Sequence, residues 1–150
     1  MRDVLLSIHI IAVALWLGGS VMNGVVNAKL AATGDIAANA RLARVETNLG
    51  QQFYMPASIL TLLSGIGLVL VSDGAYSFGD LWVSVGFLSI IVAAVLGPVK
   101  FLPLSREIAD AYEAGEAERA GAASQQIAMW STVNTVLIVV ALVLMVYKPG

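Results

Sequence analysis

The chain has 150 residues, 59% of them hydrophobic and only 12% charged, with a net charge of −2 and no cysteine. Soluble domains run at about 45–50% apolar and about 25% charged, so this composition belongs in lipid, and a slightly acidic chain offers nucleic acid no footing. The absence of thiols excludes disulfides, thiolate metal sites, iron–sulfur clusters and cysteine catalysis.

Four stretches, near residues 4–25, 53–72, 81–102 and 127–147, reach the roughly 20 apolar residues needed to cross about 30 Å of hydrocarbon. Continuous runs of this length do not resemble the short alternating strands of a membrane barrel. The expected fold is therefore all-α: one integral membrane domain over residues 1–150, a four-helix bundle whose first partner is the lipid bilayer. The first run follows a single basic residue, Arg2, and continues past any small-x-small cleavage site, so a retained helix is expected rather than a signal peptide. The second run carries Ser58, Thr61, Ser64, Gly65 and Gly67, the small and hydroxylic types that let membrane helices approach closely.

Basic residues set the expected orientation. Lys29, Arg41, Arg44, Lys100, Arg106 and Arg119 flank the two long connections, whereas only Arg2 and Lys148 lie at the other ends and none lies in the 73–80 link. Six against two predicts both termini outside and both long connections in the cytoplasm. These connections read as helical elbows. Asp35 is placed to cap a helix from Ile36 to Leu49, and Ser105 to cap one from Ser105 to Gln126. The second elbow bears Glu107, Asp110, Glu113, Glu116 and Glu118. These acids face either Arg41 and Arg44 or water, and the weakness of exposed ion pairs favours a solvated face. The two halves are similar hairpins, but equal hairpins are the simplest four-helix arrangement and show no convincing residue-level repeat. Phe53, Tyr54 and Trp130 at the inner ends, with Tyr76, Phe78, Trp82 and Tyr147 at the outer ends, fit interfacial anchoring. Trp16, near mid-membrane, does not.

At about 100° per residue, helix one gathers His9, Trp16, Ser20, Asn23 and Asn27 on one face. Such a stripe belongs against the bundle interior or a neighbouring subunit. For Ser20, Asn23 and Asn27 interhelical hydrogen bonding is the favoured role. His9 is the only histidine, about 8 Å below the outer end of its helix, and an ionisable group there marks a functional-site hypothesis. A neutral imidazole is the commonest metal ligand and an accepted axial ligand of haem iron, but one histidine cannot build a zinc site alone. Opposite it could stand an open position, a second copy's histidine, or Met145, at similar depth on helix four, although methionines here are mostly core filler. Pro98 predicts a kink in helix three. Lys100 is expected to snorkel to the inner interface. Asn134 lies inside the fourth span and needs partners, expected on helix two near Pro56.

The run Ile8-His9-Ile10-Ile11-Ala12-Val13-Ala14-Leu15-Trp16-Leu17-Gly18-Gly19 resembles the first helix of the J-type protoporphyrinogen oxidases, small bacterial four-helix membrane proteins, and equally that of the copper-resistance D-like membrane proteins. The likeness continues through Tyr54-Met55-Pro56-Ala57-Ser58-Ile59-Leu60-Thr61-Leu62-Leu63-Ser64-Gly65, Leu81-Trp82 and Tyr147-Lys148-Pro149, so it spans all four helices in order. It implies a bacterial plasma-membrane protein binding haem b through His9. The oxidases' lysine four positions after the helix-three tryptophan is Gly86 here, their Pro-Arg pair is Gly24-Val25, and the acid early in helix four is replaced around Ser131 and Thr132. The resemblance thus carries over the scaffold, the histidine and the tryptophan, and disfavours porphyrinogen oxidation. Three functions follow: a haem-binding, redox-associated protein with Trp16 shaping the pocket; a non-enzymatic accessory or homo-oligomeric bundle within a larger membrane complex; and, least supported, copper handling or small-solute transport, for which the ligands and polar path are sparse.

Overall fold

The computed structural model describes residues 1–148; Pro149, part of the closing motif quoted above, lies outside them. Four helical rods, each long and apolar enough to cross a membrane, run antiparallel: 30 residues from Arg2 to Ala31, 35 from Ile36 to Leu70, 33 from Leu81 to Glu113 and 31 from Ala117 to Tyr147. At 1.5 Å per residue each exceeds the roughly 20 residues that the hydrocarbon needs, and the surplus projects at the end opposite the termini. The elbows are therefore extensions of the membrane helices. We name α1 (Arg2–Ala31), α2 (Ile36–Leu49), α3 (Met55–Leu70), α4 (Leu81–Leu96), α5 (Leu102–Glu113) and α6 (Ala117–Tyr147).

Local chemistry explains the boundaries. Asp35 caps α2 as expected, its carboxylate accepting from the Ala38 N–H at 2.9 Å. Within the second and third rods the helix widens into single π turns, Gly50–Tyr54 and Gly97–Phe101. In each a proline stands just beyond the turn, Pro56 or Pro103; it has no N–H and its ring crowds the carbonyl four residues back. The residue before it reaches one position further, Met55 N–H to the Gly50 carbonyl and Leu102 N–H to that of Gly97. The irregularity expected from Pro98 is thus a π turn. The expected Ser105 cap is not found: α5 starts at Leu102 and Ser105 lies inside it. Nor is the second elbow one helix to Gln126, because Gly115 takes φ +76° and breaks it between α5 and α6.

The rods associate as two pairs, α1 with α3 and α4 with α6, while α2 packs on α5 at the elbow end. Leu5 lies against Gly67, where a Cβ would come within 3.2 Å of its methyl, so the small residues of α3 set how closely α1 approaches. At mid-depth the pairs meet through Trp16, Ile90 and Ile138. Trp16 is 6% exposed, which explains an aromatic residue far from either interface. Tyr54 joins this cluster instead of anchoring at the interface. Val4, Ile10, Ile11, Leu15, Met22 and Val25 face outward along α1, where a membrane helix meets lipid.

At the elbow end Arg44 of α2 grips α5, reaching Asp110 at 2.7 Å and both Glu113 oxygens at 2.7 and 2.8 Å. The acidic face expected to be solvated is therefore engaged by Arg44, though not by Arg41. Arg119 similarly holds Glu107 and Glu116. Hydrogen bonding from Arg44 keeps the Glu113 carboxyl below its ordinary range. Because its folded-state value is depressed, this group's contribution is complete above the ordinary carboxylate range and disappears as pH falls through the lowered value. Both partners are about half exposed, so the effect is small. Thermal unfolding in detergent should show stability falling on acidification below the ordinary carboxylate range, and Arg44→Gln should flatten that dependence; an unchanged slope would disprove the Arg44–Glu113 contribution.

Candidate functional site

Between the two helix pairs, from the termini down to Trp16, lies a cavity with about 180 Å³ open to the centres of water molecules. One water needs roughly 10–15 Å³ on that measure, so the space is much larger than a hydration site. Its lining is mainly apolar, with Leu6, Val13, Leu62, Leu68, Phe87 and Leu142 among the walls. His9, Trp16 and Met145, from α1 and α6, all line it, together with Ser89 of α4.

His9 is held by α3. Its Nδ1 lies 3.1 Å from the Thr61 carbonyl oxygen and 3.1 Å from Ser64 Oγ. A carbonyl can only accept, and Ser64 donates its own proton to the Leu60 carbonyl at 2.6 Å, so Nδ1 must carry the ring proton. In the neutral ring this leaves Nε2 as an uncommitted lone pair on a residue facing the cavity. The ring fits because α3 has glycine at 65, where a Cβ would stand 3.3 Å from His9 Cε1. Gly86 does the same for Met145, whose methyl would lie 2.6 Å from a Cβ there.

The rest of the helix-one stripe faces the second rod. Ser20 back-bonds to the Trp16 carbonyl at 3.0 Å, and Gly19 lies under Phe53 and the Tyr54 hydroxyl, 3.1 Å from an ideal Cβ. Asn27 donates to the Asn23 carbonyl at 2.9 Å and to Glu46 of α2. Glu46 was not picked out among the sequence candidates; its spacing from Ala43 and Leu49 would have placed it beside the stripe. These residues lie at the elbow end, apart from His9.

Two expectations need correction or refinement. Asn134 makes no bond to the second rod: α6 packs against α4, and the Asn134 Oδ1 is buried without a partner. Lys100 is half-buried and directs its ammonium at Trp130, 5.6 Å from the ring centroid, so it rests on an aromatic face near the elbow end.

The mouth was also missed from sequence. Arg2 Nη2 and Lys148 Nζ both donate to the Tyr76 hydroxyl, at 2.8 and 2.9 Å. Lys148 also lies over the Tyr76 and Trp82 rings, 4.7 and 5.7 Å from their centroids. Lys148 first, and then Arg2, pull the Tyr76 phenol below its ordinary range. Signals for this site existed only as cations at the two chain ends and a tyrosine in the link.

Two substitutions test these contacts. Asn134→Leu removes an unpaired amide at similar volume and should stabilise the protein by about 1 kcal/mol in detergent melts. Gly86→Ala meets only a flexible methyl, so it should leave stability within about 1 kcal/mol while displacing Met145. A loss of several kcal/mol in either would show that the local packing is otherwise.

No curated protein and no solved structure matches the chain. A family model described as predicted integral membrane protein (DUF2269) matches residues 3–149, and four apolar helices cross the bundle: the chain belongs to this family of integral membrane proteins.

Proposed function

We propose that the chain binds haem b in the cavity between its helix pairs, with His9 as the axial ligand. The observation that carries this reading is the commitment of Nδ1–H to the Thr61 carbonyl, which leaves Nε2 unprotonated on a residue that lines the cavity. Ligating histidines are held in this way, through the ring nitrogen opposite the metal. The lining adds support of a chemical kind: apolar walls on all four rods, a floor at Trp16, and cations at the open end.

In this role His9 supplies the ligand and Thr61 and Ser64 fix its ring orientation. Trp16 closes the lower end, and Met145 offers a thioether on the α6 wall. Haem iron, when bound, supplies one-electron chemistry whose potential its ligands and burial tune. The chain's contribution is binding and orientation. At Gly86, where the resemblance to the oxidases implies a lysine, the Met145 methyl fills the space a side chain would need, which favours a redox or carrier role over porphyrinogen oxidation. A copper site has less support, since no group of three His, Cys, Asp or Glu side chains comes together among the described residues. The elbow end, which carries six of the eight lysines and arginines, faces the cytoplasm in this reading, and the cavity opens to the outer side.

Protein purified from cells supplied with haem should show a Soret band. His9→Ala should abolish it, and Gly65→Val, which drives a side chain into the imidazole, should weaken it. Met145→Leu should shift the spectrum only if the thioether is the second ligand. A colourless native protein would disprove the proposal and leave an accessory bundle as the better description.

A further inference from the structure

Two cations at opposite ends of the chain share one neutral oxygen. Arg2 and Lys148 converge on the Tyr76 hydroxyl, and among the described residues neither pairs with a carboxylate; the ion pairs there belong to Arg44 and Arg119. Both cations are exposed, so water screens their mutual repulsion, and what the arrangement offers is two positive charges converging on one point with no carboxylate between them. The hydroxyl accepts from both, so both its lone pairs are occupied and its own proton remains to be donated. Guanidinium, ammonium and phenol therefore present unused donors around one point. That point is the rim of the apolar cavity that His9 also lines. Tyr76 is braced edge-on by Trp82, with ring centroids 5.0 Å apart, so the acceptor is held in place by an aromatic partner on α4.

We propose that Arg2, Tyr76 and Lys148 form an anion clamp that selects amphiphiles carrying an oxyanion at the edge of an apolar body. The proposal deepens the haem reading and rests on it for the tetrapyrrole body; the anion requirement rests on the mouth. For a dicarboxylate tetrapyrrole, Arg2, Tyr76 and Lys148 would hold the carboxylates and the apolar walls would hold the ring. The phosphate of an anionic lipid has the same oxyanion chemistry and is the other possible source.

The test uses the full chain in nanodiscs of zwitterionic phosphatidylcholine, read by tryptophan quenching and by the Soret band. The probes are iron deuteroporphyrin as its dicarboxylate and as its dimethyl ester. The native protein should bind the dicarboxylate about tenfold or more tightly than the ester, as charge-assisted hydrogen bonds require. Added salt should narrow that difference. The double variant Arg2→Gln/Lys148→Gln should lose the preference and keep the native affinity for the ester, which shows that the fold is intact; Tyr76→Phe should lose part of it. Equal native affinities for the two probes, or equal losses of both in the double variant, would overturn the clamp. His9→Ala should remove the Soret shift and leave the preference for carboxylates. A preference without any His9-dependent Soret shift would uphold the clamp and defeat the haem ligation. If neither porphyrin binds, retention of phosphatidylglycerol in native mass spectra decides: loss of the lipid in the double variant upholds the clamp with phosphate as its anion, and equal retention overturns it.

Discussion

The candidate site depends on one contact between α1 and α3, the Nδ1–H of His9 against the Thr61 carbonyl over Gly65. In hydrocarbon there is no water to satisfy a ring N–H, so the side chain must find an acceptor on a neighbouring helix. A helix carbonyl can accept a second bond only if the donor comes close, and a glycine provides that space. This contact orients α1 on α3 and leaves the opposite nitrogen available. Within the bilayer, the requirement to satisfy polar groups creates the candidate ligand.

The second constraint is that the helix pairs need not touch along their whole length. Lipid is as apolar as leucine, so membrane helices associate through dispersion, small residues and polar bonds rather than by escaping water. The pairs meet at Trp16, Ile90 and Ile138, and the Arg44 ion pairs join the rods again at the elbows. Between the tryptophan and the Tyr76 bonds at the mouth the walls stand apart, and the cavity lies there. A large aromatic residue at mid-depth thus sets the floor of the space above it.

Much of this was legible along the chain because helix, hydropathy and capping are local. The four spans, the Asp35 cap, the one-sided stripe and the small residues of α3 all follow from periodicity and residue type. The same local reasoning misplaced the second elbow, where Ser105 resembles a cap but the widened turn lets the helix start earlier, and Gly115 supplies the break. What could not be read was pairing across the bundle. The choice of Arg44 over Arg41, the missing partner of Asn134, and the meeting of Arg2 with Lys148 depend on which rods are neighbours. One signal was present and went unread: Gly50 and Gly97 each precede a proline by six positions, Pro56 and Pro103, so both inner rods repeat one device.

That device governs rotational phase. A π turn accommodates an extra residue in an otherwise continuous helix, and each residue is worth about 100° of rotation. The faces of α2 and α3 are therefore set relative to each other by the count between Gly50 and Pro56. Thr61, Ser64 and Gly65 point at His9, while Arg44 and Glu46 keep their own partners on the other side of the turn. Removing one residue there would change hydropathy and length hardly at all, yet it would swing the histidine's acceptor a quarter-turn or more out of line. Two chains with indistinguishable hydropathy profiles can thus differ in whether they hold a ligand at all.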